Sequence, residues 1–303
     1  MDKRGQGTIR KRLDRACPGG VREGEPMSNH TTIGASGPAR FFAVPMTTTQ
    51  VVSLVRAAVG LGLDYIGIGK GSNLLVRDGG YDGLVIQVAA NLARLAVYSR
   101  TAHAEAGLSF NKLGKILTRE GRPGFEFAVG IPGSVGGAVR MNAGAWGADV
   151  SGVLKSVKVI DGAGRVHVLG AGDLGLRYRK SELPPRSIVL GAVFNCPPGA
   201  IDEEMLGRSM SRGETQPLAQ KSFGSTFKNP KDGFAGRLIE ECGLKGVRRG
   251  GVMVSEKHAN FLVNIGEDTK ANDIEDLVGW IIEKVEARFN VRLSPEVIII
   301  GNR

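Results

Sequence analysis

Residues 130–138 have the sequence Gly130-Ile131-Pro132-Gly133-Ser134-Val135-Gly136-Gly137-Ala138 and belong to one of three glycine-rich segments. The other two span residues 67–73, with Gly69-Lys70-Gly71-Ser72-Asn73, and residues 224–230. Glycine lets the backbone turn tightly and approach an anion closely. Neither common nucleotide-binding pattern is present, because G-x-G-x-x-G needs glycine where Ser72 stands and a P-loop needs Ser or Thr directly after Lys70. The residues alone leave two interpretations open, a pyrophosphate cradle and a set of structural turns.

The composition is that of a globular protein of two or three domains, with 303 residues of which 42% are hydrophobic and 23% charged. A formal net charge of +10 suits an anionic partner, which includes nucleic acid, an anionic membrane and phosphorylated small molecules. Aromatic residues make up only 6% of the chain and do not alternate with a basic run, so we expect no nucleic-acid partner.

The lack of a recognisable targeting signal and the pattern of cysteines favour a cytoplasmic location. No apolar run approaches the roughly 18 residues that cross a bilayer, and no hydrophobic stretch follows the basic N-terminus. We therefore expect neither a membrane segment nor a secretory signal. Cys17, Cys196 and Cys242 lie far apart and are odd in number, which predicts buried free thiols rather than disulfides.

Hydrophobic spacing predicts an α+β protein without regular βαβ alternation. Helices are expected over residues 47–61, after threonines that supply an N-cap, and over residues 274–289. The turn Asp161-Gly162 predicts a hairpin between residues 153 and 168. Further strands are expected at residues 65–68, 84–88, 188–194 and 297–300, the last of them buried. The first 25 or so residues are polar, which predicts a loosely packed arm. The sequence pattern changes after Pro198, which predicts a domain boundary near residue 200.

A series of motifs, in a fixed order, runs from about residue 21 to the end. The most specific are Gly124-Phe125-Glu126-Phe127-Ala128-Val129, which leads into residues 130–138, Asn142-Ala143-Gly144-Ala145-Trp146-Gly147, and Gly224-Ser225-Thr226-Phe227-Lys228-Asn229-Pro230. Others lie at residues 21–32, 69–75, 178–181, 216–217, 235–240, 254–259 and 293–297. Together they resemble the UDP-N-acetylenolpyruvoylglucosamine reductase family, in the form that lacks an inserted tyrosine-bearing loop between Arg179 and Gln216.

The resemblance implies an α+β fold with an FAD-binding domain of the PCMH or vanillyl-alcohol-oxidase type, in two subdomains, and a C-terminal α+β substrate-binding domain. The expected divisions are an N-terminal arm at residues 1–30, the FAD-binding domain at 31–200 and the substrate-binding domain at 201–303. The implied activity is the reduction of UDP-N-acetylglucosamine enolpyruvate to UDP-N-acetylmuramate in peptidoglycan synthesis, with FAD as cofactor and NADPH as co-substrate. Two alternatives are another flavin oxidoreductase of this fold and a non-catalytic nucleotide-binding protein.

The resemblance also implies roles for individual residues. Ser225 matches the family's proton donor, Arg179 and Glu296 match its other catalytic positions, and Asn229 and Lys228 match substrate contacts. The positions that would bind FAD are Gly69, Lys70, Gly71, Ser72, Asn73, Ile131, Pro132, Gly133, Ser134, Gly136, Gly137, Asn142 and Gly144.

The last expectations concern the four histidines and three positions at which the chain departs from the family pattern. The four histidines lack metal-ligand spacing, so we expect no metal site and a structural role for His258. Trp146 stands in place of tyrosine, Ser36 in place of glycine, and Phe223 in place of a small residue, where it is expected to crowd the proton donor.

Overall fold

The computed structural model describes residues 3–303, which form two compact units built from several segments each. Unit 1 comprises residues 3–25, Arg40–Lys70 and Gly83–Met210. Unit 2 comprises Pro26–Ala39, Gly71–Asp82 and Ser211–Arg303. Two short segments from the first third of the chain therefore belong to unit 2. The sequence-based boundaries at residues 30 and 200 stay predictions.

Helices and strands alternate irregularly along the described residues. The α-helices are α1 (Lys3–Ala16), α2 (Thr48–Gly60), α3 (Phe110–Arg119), α4 (Val135–Met141), α5 (Glu203–Met210), α6 (Arg212–Thr215), α7 (Ala235–Glu241) and α8 (Ala271–Phe289). The strands are β1 (Val21–Pro26), β2 (Pro38–Ala43), β3 (Tyr65–Ile68), β4 (Leu74–Val76), β5 (Tyr81–Gln87), β6 (Leu95–Val97), β7 (Thr101–Glu105), β8 (Gly144–Ala145), β9 (Ala148–Asp149), β10 (Leu154–Ile160), β11 (Val166–Gly170), β12 (Ile188–Asn195), β13 (Lys221–Ser225), β14 (Arg248–Arg249), β15 (Val252–Val254), β16 (Phe261–Asn264) and β17 (Ile298–Ile300). Short 3-10 helices lie at Met27–His30, Glu126–Ala128, Val150–Gly152 and Ala171–Leu174.

Unit 1 is organised around two sheets. One has the strand order β1-β2-β5-β3, with β3 parallel to β5, and its strands lie mostly in this unit. The other has the order β11-β10-β12-β7-β6 and is antiparallel. The predicted helix after the threonines is confirmed as α2, because the Thr47 side chain accepts a hydrogen bond from the backbone of Gln50.

The predicted hairpin is also confirmed, since β10 pairs with β11 around Asp161. The Asp161 carboxylate accepts hydrogen bonds from the backbone amides of Ala163 (2.9 Å) and Arg165 (2.8 Å) and from the His167 ring (2.8 Å). The pKa of Asp161 is held far below its ordinary value, chiefly by the Arg165 amide and the His167 ring, because these bonds favour the carboxylate form. The carboxylate therefore holds the turn together.

The N-terminal segment is not the loosely packed arm that its polarity suggested. Residues 3–16 form helix α1, whose Ile9 and Leu13 are buried in the core of unit 1 together with Cys17. Three apolar residues spaced four apart place one narrow stripe on a single face of the segment, and this stripe is enough to dock a helix whose other positions are mostly polar or charged.

Unit 2 contains the antiparallel sheet β13-β16-β15-β14 and the long helix α8. Ile274, Leu277, Ile281 and Val285 are buried on one face of α8, which confirms the helix predicted from their spacing. Strand β17 pairs in parallel with β4. The expectation that this last strand is buried was wrong, because Ile298 is 37% exposed. A short strand with one partner leaves its open side uncovered.

The cysteines differ in burial, and the helices are limited in length and apolar character. Cys17 and Cys196 are buried free thiols as predicted, but Cys242 is only half-buried. None of the helices within residues 3–303 is long and apolar enough to cross a bilayer.

Candidate active site

Two of the three glycine-rich segments meet inside unit 1. Gly69 follows β3 directly, and a Cβ atom added to it would lie nearer to Ser134 Oγ than the 3.0 Å that real Cβ atoms keep, and 3.1 Å from Ser134 Cβ. Gly133 adopts φ +110°, a region that glycine reaches without strain. The two loops thus form a cradle with no room for side chains at these points, as close approach of a phosphate-bearing cofactor requires.

The second loop is fixed to the sheet behind it. The amides of Val135 and Gly136 donate to the carbonyls of Leu108 and Ala106, each at 2.8 Å, and the Ser134 side chain caps α4 by accepting from Gly137. Because the amides of Val135 and Gly136 are used in this way, an anion at the loop would need the preceding amides of Gly133 and Ser134. Ile131 and Pro132 lie in the same loop, half-buried and exposed respectively.

Residues 71–73 of the first glycine-rich segment belong to unit 2, whereas Lys70 belongs to unit 1. Gly71 adopts φ +64°, and a Cβ added to it would clash with the carbonyl oxygen of His30. Asn73 donates its side-chain amide to the carbonyl of Glu296 at 3.0 Å. Lys70 is exposed and Ser72 half-buried. Asn73 therefore fixes the backbone beside one predicted catalytic residue.

Asn142 is buried and bonded within unit 1. Its side chain donates to Asp149 Oδ2 (3.0 Å) and the carbonyl of Arg177 (3.1 Å), and its Oδ1 accepts from the amide of Ser151 (3.0 Å). Gly144 passes close to the carbonyl of Ala148, which leaves no space for a side chain. These contacts brace the loop that carries Arg179.

Arg179 sits at the tip of a tight turn in which the backbones of Arg177 and Lys180 bond each other in both directions, at 3.0 and 2.9 Å. Its φ of +53° is unusual for a residue with a side chain and costs on the order of 1–3 kcal/mol. Its guanidinium donates to the carbonyl of Gly144 at 2.8 Å and lies over the Tyr178 ring, 5.1 Å from its centroid. The backbone is strained, and the side chain is held in place.

Ser225 ends strand β13 just after a bulge. Ser222 pairs with Val263 and Ser225 with Phe261, so one extra residue is inserted, and Gly224 takes φ +80°. The bulge leaves Phe223 pointing into the core of unit 2, where it is 1% exposed. The expectation that Phe223 crowds the proton donor was therefore wrong, because the extra residue separates the directions of the two side chains.

Glu296 lies on a segment paired with the one that follows Ser225. The Glu296 amide donates to the carbonyl of Thr226 (2.8 Å), and the Lys228 amide donates to the carbonyl of Ser294 (2.9 Å). Unit 2 thus brings the Ser225 and Glu296 segments together, whereas Arg179 belongs to unit 1. The Asn229 side chain accepts from the amide of Ala235 at 3.1 Å, at the start of α7.

A cavity of about 660 Å³ lies in unit 2 next to these residues. It is lined by Glu214, Thr215, Ser225, Asn229, Phe234, Gly236, Arg237, Glu240, Glu241, Lys257, His258, Ala259 and Asn260. Its volume is in the range of small-molecule sites. The sequence pointed to Ser225 and Asn229, but it gave no sign that His258 lines the same cavity.

The two other residues that depart from the family pattern are Ser36 and Trp146. The Ser36 hydroxyl accepts from the amide of Val76 and contacts Thr31 Oγ1, both at 3.3 Å, so it braces the strand β4. Trp146 is exposed and adopts φ +57°.

Among residues 3–303 no group of three or more His, Cys, Asp or Glu side chains is arranged to hold a metal ion.

Comparison with known proteins first gives the class. Residues 39–170 match the FAD binding domain family, and residues 216–300 match the family described as UDP-N-acetylenolpyruvoylglucosamine reductase, C-terminal domain. The protein is thus an FAD-dependent oxidoreductase with a separate C-terminal domain.

Whole-chain relatives narrow the class to one family. The UDP-N-acetylenolpyruvoylglucosamine reductases of Streptococcus pyogenes serotype M49 (strain NZ131) and serotype M5 (strain Manfredo) are each 43% identical over 286 residues, which cover 93% of this chain and 96% of theirs. The crystal structure of the reductase (MurB) from Thermus caldophilus matches with a TM-score of 0.75 and 33% identity, covering 90% of this chain and 97% of that one. The chain belongs to the UDP-N-acetylenolpyruvoylglucosamine reductase family. The predicted family, fold class and FAD cofactor are confirmed, and the roles of individual residues stay predictions.

Proposed function

We propose that the protein reduces UDP-N-acetylglucosamine enolpyruvate to UDP-N-acetylmuramate for peptidoglycan synthesis, at the expense of NADPH. One carbon of the enolpyruvyl double bond gains a hydride and the other gains a proton, while NADPH becomes NADP⁺. When bound, FAD would supply the hydride-transfer chemistry between NADPH and the substrate. The chain must therefore bind the cofactor, orient the double bond and provide the proton.

The observation that carries the proposal is the pairing of the Ser225 and Glu296 segments beside the unit 2 cavity. A serine hydroxyl is a weak acid, so it donates a proton efficiently only if it is positioned against a polarised substrate. The bulge at Gly224 fixes the Ser225 backbone, and the Glu296 amide is fixed to the carbonyl of Thr226. We assign Ser225 as the proton donor, whose hydroxyl is then reprotonated from solvent. Glu296 would stabilise the enol-like form of the substrate.

Arg179 is the proposed carboxylate-binding group. A guanidinium can bind the enolpyruvyl carboxylate with two parallel hydrogen bonds and withdraw charge from the reacting carbon. Strained backbone at a residue whose side chain is also held by Gly144 and Tyr178 is typical of functional positions. Asn142 would act indirectly, through the carbonyl of Arg177.

The residues proposed to hold FAD fit a cofactor with a pyrophosphate group. The cradle between Gly69 and Ser134 gives backbone groups close access to an anion, and Lys70 adds a positive charge at its exposed edge. Ser72 and Asn73 follow in the same segment, and Ile131, Pro132, Gly133, Gly136 and Gly137 surround Ser134. Gly144 would contact the cofactor through its backbone, since a side chain there would clash with Ala148 and Asp149.

The substrate is proposed to enter the unit 2 cavity, with Asn229 and Lys228 as contacts. FAD, NADPH and a UDP-sugar are all polyanions, so the formal charge of +10 requires no nucleic acid. We propose a cytoplasmic enzyme without a nucleic-acid or membrane partner, in line with its three free cysteines.

The test is the visible spectrum of the purified protein under anaerobic conditions. NADPH should bleach the flavin absorbance, and the enolpyruvyl UDP-sugar added afterwards should restore it. Bleaching without recovery would overturn the substrate, and a protein that stays colourless after incubation with FAD would overturn the enzyme assignment.

The proton donor can be tested separately by Ser225→Ala, with Ser222→Ala on the same strand as the matched control. Loss of a general acid lowers a rate by about 10²–10⁴. We expect the recovery of colour to slow by that factor in Ser225→Ala, while NADPH still bleaches the flavin at the rate of the natural protein. Equal recovery in both variants would remove Ser225 from the mechanism.

A further inference from the structure

His258 lies in the loop between β15 and β16, half-buried at the wall of the unit 2 cavity. Its ring packs edge-on against Phe261, with 4.9 Å between the centroids. On its other side stands Gly236 of α7, where an added Cβ would come within 3.2 Å of the imidazole Cε1. The ring is therefore in close contact with both Phe261 and α7.

The hydrogen bond at Nδ1 decides where the ring carries its proton. The backbone amide of Asn260 donates to Nδ1 at 3.2 Å, so this nitrogen must be the acceptor and the neutral ring carries hydrogen on Nε2. Burial lowers the pKa of His258, which keeps the ring neutral near pH 7. His258 thus presents an uncharged N–H donor.

Nε2 has no hydrogen-bond partner among residues 3–303, and it is not enclosed by protein. The nearby charges largely satisfy one another, because Arg237 pairs with Glu241 and Lys245 with Glu240, each at 2.6 Å. Lys257 donates to the carbonyl of Gly213. A donor without a protein partner at a cavity wall is available to a ligand.

His258 lines the same cavity as Ser225, the proposed proton donor. Phe261, against which its ring packs, is the cross-strand partner of Ser225. Both His258 and Ser225 line the cavity. A ligand oxygen that accepts from Nε2 would therefore lie in the same cavity as the proposed proton donor.

We propose that His258 is a substrate-binding residue whose Nε2–H donates a hydrogen bond to an oxygen atom of the UDP-sugar in the unit 2 cavity. The inference rests on the proposed function and adds to it a specific contact, in place of the structural role expected from the sequence. It also gives Gly236 a reason to be glycine, since a side chain there would displace the ring.

The experiment compares three variants with the natural protein, all as FAD-loaded full chains. His258→Phe keeps an aromatic ring against Phe261 but removes the donor, and His258→Gln returns an N–H group near the Nε2 position. His103→Phe is the matched control, because His103 packs edge-on against Tyr98 at the same 4.9 Å but lies in unit 1. The readouts are the KM for the enolpyruvyl UDP-sugar, the KM for NADPH, and the rate at which NADPH bleaches the flavin.

We expect His258→Phe to raise the KM for the UDP-sugar by about five- to tenfold, the effect of one lost hydrogen bond. The KM for NADPH and the bleaching rate should not change, His258→Gln should recover most of the loss, and His103→Phe should match the natural protein. An unchanged KM in His258→Phe would overturn the inference, as would a His258→Gln variant no better than His258→Phe, which would indicate packing alone. If the natural protein itself failed to turn over the UDP-sugar, the proposed function would fall, and this inference with it.

Discussion

Replacing Gly69 with alanine tests whether the two glycine-rich loops of unit 1 depend on each other. The new Cβ would overlap Ser134 Oγ and lie 3.1 Å from Ser134 Cβ. Either the loops separate, which as overpacking costs about 1–3 kcal/mol, or the hydroxyl swings away and α4 loses its cap, which costs about 1 kcal/mol. We expect the free energy of unfolding to fall by about 1–3 kcal/mol, and FAD affinity to fall as well.

The double variant separates the clash from other effects. Ser134→Ala alone should cost about 1 kcal/mol through the lost cap. In Gly69→Ala/Ser134→Ala the overlapping oxygen is absent, so the pair should be destabilised by about 1 kcal/mol less than the sum of the single changes. Gly207→Ala is the control within unit 1, because nothing lies within 4 Å of its added Cβ. There alanine should stabilise helix α5 by up to about 1 kcal/mol.

The assay is urea unfolding of the flavin-free proteins, followed by fluorescence titration with FAD. Additive energies in the cycle would refute the claim that Gly69 is required because of Ser134. A Gly69→Ala variant with natural stability and FAD affinity would refute the cradle itself.

Three further changes probe the remaining elements of the site. Arg179→Gly should be about 1 kcal/mol more stable to urea than Arg179→Ala, because glycine accepts φ +53° without strain, and both should lose activity; equal stability would show that the turn is unstrained. Asn142→Ala should lower the free energy of unfolding by about 1–3 kcal/mol, since it removes the hydrogen bonds that the buried Asn142 side chain makes to Asp149, to the carbonyl of Arg177 and to the amide of Ser151; an unchanged urea midpoint would contradict this. The pKa of His258 is lower in the folded protein than its ordinary value of 6.5, so the unfolded chain binds more protons as the pH falls below about 6.5. The stability advantage of the natural protein over His258→Phe should therefore be complete above that pH and shrink on acidification, and a constant difference between the two in unfolding experiments from about pH 5 to 8 would contradict the lowered pKa.

Much of the fold could be predicted where local sequence carries the physical cause. Helix α8 follows from the spacing of its apolar residues, and the hairpin at Asp161 follows from a turn whose carboxylate binds neighbouring amides. The family could be recognised because its motifs are short, ordered and rich in residues with special backbone needs. These features depend on neighbours in the chain, so the sequence displays them directly.

Other features depend on residues that meet only after folding. Polar composition hid the packing of α1, because few residues of this segment, among them Ile9, Leu13, Ala16 and Cys17, contact the core. The bulge before Ser225 decides which way Phe223 points, and alternation along a strand cannot reveal an inserted residue.

The sequence by itself determined the family, the cofactor class and the residues available for the reaction. Only the tertiary structure decided that Gly69 faces Ser134, that the Ser225 and Glu296 segments pair, and that His258 Nδ1 accepts from the amide of Asn260. The physical reason is that the residue type fixes the chemical groups of a side chain. The distances between side chains, their hydrogen-bond partners and their protonation states depend on groups that are distant in the chain.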